Sequence, residues 1–179
     1  IASFLKAQKC PLYLHGIAFE DKEKMRLEKD RFNKIVPENK EQGIRMHYLR
    51  NSTETLNYIA DLHYNFDSTV YELQDPYLIN NLIEFPVSMM EVYMMQYNDT
   101  DFEKIKDLTK QRIEAGFKLG LKYFTIIFHD HHFSESFPLH KEWYVWLIGY
   151  LKDLHSEFVD FENACYEIRT ANSVKKELQ

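Results

Sequence analysis

The sequence predicts an α/β protein built on a parallel sheet curved toward a barrel, and three observations carry that expectation. Short apolar runs alternate with longer amphipathic stretches about five or six times, the order expected of βα units. One run, Tyr123-Phe124-Thr125-Ile126-Ile127-Phe128, proceeds without a polar break into His129, which suits a strand buried on both faces. Several runs end in polar residues, where parallel folds place their chemistry. The 179 residues, 45% hydrophobic and 15% aromatic, hold enough apolar material for one domain over residues 1–179 with a sizeable core.

The same composition excludes some function classes. With a net charge of −6 and no basic run to track a phosphate backbone, nucleic acid is not an expected partner. No apolar stretch reaches transmembrane length, and the first residues do not read as a signal peptide. Cys10 and Cys165 read as free thiols in a reducing compartment, which favours a cytoplasmic location; a single disulfide is the alternative. Oligomeric state is not legible.

Residues 1–9 read as an amphipathic helix with no strand before it, so at least one strand is expected upstream. Pro11 to Leu14 is a short strand ending at His15-Gly16, and Glu20 to Val36 is a charged helix with Met25, Phe32, Ile35 and Val36 as its apolar stripe. After a polar turn over 37–42, Gly43 to Leu49 reads as a second strand. Asn51 to Glu54 can cap a helix running to about His63, and Asn65 to Val70 is a brief strand. From Tyr71 to Asn81 the pattern is irregular, with a turn at Asp75-Pro76. Leu82 to Met90 is a strand whose hydrogen bonding Pro86 must interrupt. A long helix capped within Asp99-Thr100-Asp101 stops at Gly116 or Gly120. The strand entering His129 follows, then a helix from Leu139 to Leu154, a last strand over Phe158 to Phe161, and a final helix from Asn163.

Candidate chemistry gathers at strand ends: His15, Arg45 with His47, and His129. In a barrel such ends lie around one mouth, and histidines with an arginine there suit a metal with a polarised substrate, or acid–base work. A lone histidine at a strand end is commonly a partnered structural residue; three at comparable positions make the functional reading competitive. Within His129-Asp130-His131-His132, His129 is the functional candidate, while His131 and His132 read as rim or solvated residues. His63, His140 and His155 are expected on helices, packing or facing water. Trp143 to Trp146 and the methionines 89, 90, 94 and 95 read as core, although Tyr93 and Tyr97 could reach a sugar.

The order Leu14-His15-Gly16, Gly43-Ile44-Arg45-Met46-His47-Tyr48, Phe66-Asp67-Ser68-Thr69 and Ile126-Ile127-Phe128-His129 resembles the polysaccharide deacetylase (NodB homology) family, over roughly residues 15–168. Glu84-Phe85-Pro86-Val87 resembles a further strand of one branch. The resemblance implies a distorted (β/α) barrel, here with its first strand missing. It implies hydrolysis of acetyl groups on a carbohydrate substrate, with a divalent metal such as zinc. By position, His15 matches a metal histidine, Arg45 the arginine orienting the base and His129 the acid for the leaving amine, with His47 and Tyr48 toward substrate.

This sequence departs from that pattern in three places, the mildest being Phe128, which stands before the last histidine where tryptophan or leucine is common. The strand with paired aspartates is absent, and Phe19 stands where a second metal histidine, four residues after the first, would be. Metal should therefore be held weakly unless other groups complete the shell. The expected function is a metal-dependent carbohydrate deacetylase. An inactive relative that binds a glycan or protein partner is the alternative, followed by a hydrolase of a non-sugar amide.

Overall fold

The computed structural model describes residues 10–36, 41–95 and 101–177, with Phe4, Ala7 and Gln8, and side chains as far as residue 172. The helix expected over 1–9, the turn from 37 and Tyr97 fall largely or wholly outside the described residues. The chain divides into two compact units: Ile1–Val70 with Pro76–Phe85 and Val159–Gln179, and Tyr71–Asp75 with Pro86–Phe158.

The first unit contains β1 (Leu14–Gly16), α1 (Lys22–Ile35), β2 (Gly43–Met46), a 3₁₀ turn (His47–Leu49), α2 (Thr53–Asp61), β3 (Phe66–Asp67), β4 (Tyr77–Ile79) and β5 (Leu82–Glu84). Its strands form one sheet in the order β1-β2-β3-β5-β4. The first four run parallel, with His15 opposite Arg45, Ile44 opposite Asp67 and Asp67 opposite Glu84. β4 pairs antiparallel with β5 through a tight turn in which Asn80 takes φ 56°. The helices start where side chains supply the missing acceptors: Asp21 takes the Lys24 N–H, and Ser52 and Thr55 cap α2 reciprocally.

Met25, Ile44, Met46, Ile59, Tyr64 and Leu82 form this unit's main core. An aromatic group lies around Phe66, which stacks on Phe161 at 4.7 Å and meets Tyr13 and Phe85 edge-on. Gly43 is required beneath it, because a Cβ there would lie 2.0 Å from the Phe66 ring. The closing helix (Phe161–Glu177) carries Phe161 and Arg169; Arg169 donates to Glu41 at 2.8 Å and to the Asn65 carbonyl at 3.3 Å.

The second unit contains β6 (Val87–Met90), α3 (Glu91–Met95), α4 (Phe102–Lys118), β7 (Thr125–Ile127), a 3₁₀ turn (Asp130–His132) and α5 (Pro138–Asp153); α6 spans Phe161–Glu177 in the first unit. β6 and β7 pair in parallel, with an irregularity between Val87 and Met89. The Ser88 hydroxyl fills that gap by accepting the Thr125 N–H, and the Ser88 carbonyl accepts from Arg112. Asp101 caps α4, and Gly120 takes φ 71° two residues past it. Met89, Met94, Ile105, Ile113, Trp143, Leu147 and Leu151 fill the core. Trp143 is fully buried, and its indole N–H donates to the Thr109 hydroxyl at 2.9 Å.

The α/β class and most elements agree with the sequence, and the differences have physical reasons. The strands lie in two open sheets. The strand before His129 is three residues long and pairs with β6 alone, so Thr125 and Ile126 are half-buried rather than covered on both faces. Pro86 divides the expected Leu82–Met90 strand into β5 and β6, in different sheets. Tyr77–Ile79, left irregular by the sequence, is a strand because it adds to β5 as a hairpin. Residues 158–160 form no strand, and Phe161 already opens α6. His63 and His155 sit just past helix ends with positive φ. Both cysteines are free, and burial pushes the Cys165 thiol up to about 12. No described helix is long and apolar enough to cross a membrane.

Candidate functional site

Polar residues converge at one place in each unit. In the first, β1 and β2 bring His15 and His47 together, with His15 Nε2 2.9 Å from His47 Nδ1 and the rings near-perpendicular. His15 lies within β1 rather than beyond it, because Gly16 still pairs with Met46. Tyr48 and Leu49 follow at φ 57° and 54°, a left-handed conformation that costs a non-glycine about 1–2 kcal/mol each. It leaves the Tyr48 ring 72% exposed, 4.0 Å from the His47 ring and under the Arg50 guanidinium. A cavity of about 210 Å³ lies alongside, with His15, Arg45 and Ser68 as its polar lining and Tyr13, Phe66 and Phe161 among its apolar walls.

Arg45, half-buried in β2, donates from Nε to the Ser68 carbonyl at 2.9 Å and from Nη2 to the Ser68 hydroxyl at 3.0 Å. Burial pulls its guanidinium below the usual value, and the charges of Asp67 and Glu84 oppose that pull. Those two carboxyls are fully buried and opposite one another on β3 and β5. Asp67 Oδ1 accepts the Thr69 hydroxyl at 2.6 Å; Glu84 Oε1 accepts the N–H groups of Thr69 and Val70. Burial, then the charge of Asp67, holds Glu84 well above the ordinary glutamate range. Burial also raises Asp67, opposed by its hydrogen bond with Glu84. Two like charges this close disfavour joint ionisation, and the upward shift of Glu84 favours the protonated form of that group.

This pair makes a pH prediction. A carboxyl whose folded pKa is raised binds its proton more tightly in the folded state. Its contribution is therefore present in acid and lost as pH rises from the unfolded value of about 4.3 toward the folded one. Glu84→Gln keeps the acceptor for Thr69 and Val70 and stays neutral at every pH. Unfolding free energies measured across pH should show wild type losing ground to Glu84→Gln as pH rises above about 4.3. Parallel profiles would show that Glu84 is not held protonated.

In the second unit, Glu91 opens α3 directly after β6 and is fully buried. Its Oε1 accepts the His129 N–H at 3.0 Å, His129 Nδ1 at 2.5 Å and His132 Nδ1 at 2.8 Å. A 3₁₀ turn repeats every three residues, which sets His129 and His132 on one side of it. Burial alone would raise the Glu91 carboxyl, but the bonds from His132 and His129 outweigh it and hold the group below the glutamate range. His132, expected to be solvated, is buried, and its ring lies 4.3 Å from that of His140. Burial, then the neighbouring His132, lowers the pKa of His140.

The ligand atoms of Glu91, His129 and His132 lie within 4.8 Å of one another, so this set could hold a metal ion. One carboxylate with two imidazoles is the donor chemistry of many zinc centres. Three N–H donors aim at Oε1, whereas Oε2 of the same carboxylate is buried without a hydrogen-bond partner. His15 and His47 offer two imidazole nitrogens, and among the described residues no third metal-binding side chain joins them at comparable range.

His15, Arg45 and His47 are thus gathered in the first unit with Tyr48 beside them, and His129 belongs to the second. Sequence reasoning missed Glu91 and the burial of His132. The available signals were a lone carboxylate immediately after the apolar run Val87–Met90, and a three-residue histidine spacing in a loop.

The fold is similar to that of a Mycobacterium smegmatis protein whose crystal structure is provisionally described as a polysaccharide deacetylase. The likeness has a TM-score of 0.70 and covers 96% of this chain and 67% of that one, at 14% sequence identity. No protein-family model and no curated protein sequence matches the chain. At that identity the likeness is one of fold, and it agrees with the family resemblance read from the motifs.

Proposed function

We propose that the chain is a carbohydrate deacetylase domain of the distorted (β/α) barrel type, in which His129 delivers a proton to the leaving group. The observation that carries this reading is the Glu91–His129 pair. A buried carboxylate 2.5 Å from Nδ1 fixes the ring and the tautomer, and leaves Nε2 to exchange a proton with substrate. A carboxylate behind an imidazole also stabilises the imidazolium form, as in hydrolase triads.

In this reading Arg45, held by Ser68, orients the carboxylate that serves as base. His47 and the exposed Tyr48 ring contact the sugar, whose C–H faces pack on aromatic surface. His15 belongs to the set that would hold a divalent metal such as zinc. Such a metal supplies polarisation of the acetyl carbonyl and a lowered pKa for bound water. The chain's own residues bind the sugar, orient the base and hold the proton at His129.

The test is acetate release from acetylated oligosaccharides by the native protein in zinc-containing buffer. N-acetylated chitooligosaccharides and O-acetylated xylan oligomers cover the two acyl linkages. Acetate above the blank is the expected result. Glycan binding by calorimetry with no acetate released would replace this reading with that of an inactive, glycan-binding relative.

A further inference from the structure

We propose that Thr69 is a positioning residue for Arg45: its hydroxyl takes over one place in the β2–β3 ladder and so leaves the Ser68 carbonyl to hold the guanidinium. The inference deepens the functional reading above and rests on it for what Arg45 does in the reaction. The placement itself rests on hydrogen bonds within the first unit alone.

The register shows which ladder bonds the side chains replace. Ile44 lies opposite Asp67, and the Ser68 N–H donates to the Ile44 carbonyl at 3.1 Å. In a parallel ladder continued at even spacing, the next bond would join the Met46 N–H to the Ser68 carbonyl, and the one after it the Val70 N–H to the Met46 carbonyl. Side chains stand in at both places. The Met46 N–H donates to the Thr69 hydroxyl at 3.0 Å, and the Val70 N–H donates to Glu84 Oε1 at 2.9 Å. The Ser68 carbonyl is thereby open to Arg45 Nε at 2.9 Å, while the Ser68 hydroxyl takes Nη2 at 3.0 Å.

The Thr69 hydroxyl is set for this role by its own donor bond. It donates to Asp67 Oδ1 at 2.6 Å, which directs the proton away and leaves a lone pair facing Met46. Thr69 is fully buried, and its N–H is held by Glu84 Oε1 at 3.1 Å, so backbone and side chain are both fixed. Two acceptors on one residue hold the guanidinium fork in a single orientation, where a long side chain otherwise samples many. Arg45 lies opposite His15 and lines the same cavity. A valine at position 69 has nearly the same shape but accepts nothing. The buried Met46 N–H would then compete with Arg45 for the Ser68 carbonyl.

The experiment follows solvent exchange of the Arg45 Nε–H by NMR in the native protein, in Thr69→Val and in Thr69→Ser. Thr69→Val should speed that exchange at least about fivefold, the order that one hydrogen bond supplies. Thr69→Ser keeps the hydroxyl and should stay near wild type. Unchanged exchange in Thr69→Val overturns the proposal, as does equal acceleration in Thr69→Ser. Turnover of N-acetylated chitooligosaccharides gives a second readout: Thr69→Val should lower it, yet cost nothing further on top of Arg45→Lys. Losses that simply add mark a residue acting on stability alone and overturn the role. Should Thr69→Val fail to fold, wild-type scalar couplings across hydrogen bonds decide. A coupling from Arg45 Nε to the Ser68 carbonyl carbon supports the proposal. Its absence, or a coupling from the Met46 N–H to that carbon, overturns it. Faster Arg45 exchange in a Thr69→Val protein whose wild type releases no acetate removes the deacetylase reading alone. An active protein in which Arg45 exchange ignores Thr69→Val removes this role alone.

Discussion

Replacing His129 with alanine in the native protein should lower turnover of an acetylated glycan by roughly 10²–10⁴-fold, the usual range for a general acid or base. Glycan affinity should change far less, because the proton is needed in the transition state rather than the ground state. Glu91→Gln should act in the same direction. It keeps an oxygen near Nδ1 but removes the carboxylate charge behind the ring, so turnover should fall while glycan affinity is largely retained. A packing role for His129 predicts a different order of events: the melting temperature falls first, and activity follows only the folded fraction. Turnover, glycan affinity and thermal melting on one preparation separate the two. A stable, fully active His129→Ala protein removes the proposed mechanism.

Trp143→Ala should destabilise the second unit by about 3–5 kcal/mol, the range for deleting a large buried aromatic side chain. The indole is fully buried, stacks on Phe128 at 6.4 Å and lies among Met89, Ile105 and Leu147. No partial collapse refills such a volume when α4 and α5 are each fixed along several turns. Thr109 adds a smaller penalty: it loses the indole donor while still donating to the Ile105 carbonyl. Trp143→Phe keeps most of the volume and should recover most of the loss. Denaturant titration checks both, and a loss below about 1 kcal/mol for alanine would mean that the site is already loosely packed.

Much of this fold was legible because short-range chemistry decides it. Ser52 and Asp101 lie among the expected N-caps and each caps its helix, while the helix expected from Glu20 starts at Lys22, behind an Asp21 cap. Gly120 ends α4 as its backbone freedom demands. What was not legible depends on partners far away in sequence. Tyr77–Ile79 lacks a strong strand signature and becomes one through pairing with Leu82–Glu84. The run ahead of His129 looked doubly covered, yet burial depends on the number of neighbouring strands, and it has one. In the candidate site, His15, Arg45, His47 and His129 were visible as polar residues closing apolar runs. Glu91 was not, because a single glutamate after β6 acquires meaning only when Asp130–His132 turns two imidazoles onto it.

The closing of the first unit by Phe161 and Arg169 bears on how the polypeptide matures during synthesis. The chain leaves that unit at Phe85 and re-enters it at Val159. Phe66 and Phe85 therefore emerge from the ribosome well before Phe161 arrives to stack on one and meet the other. At ~5–20 residues per second, the delay is on the order of several seconds. In that interval Phe66 presents an unshielded aromatic face, while the segment Pro86–Phe158 has already emerged with its own core residues in hand. The amino-terminal unit is thus the last to be completed, and it is the part of the nascent chain that chaperones would have to shield.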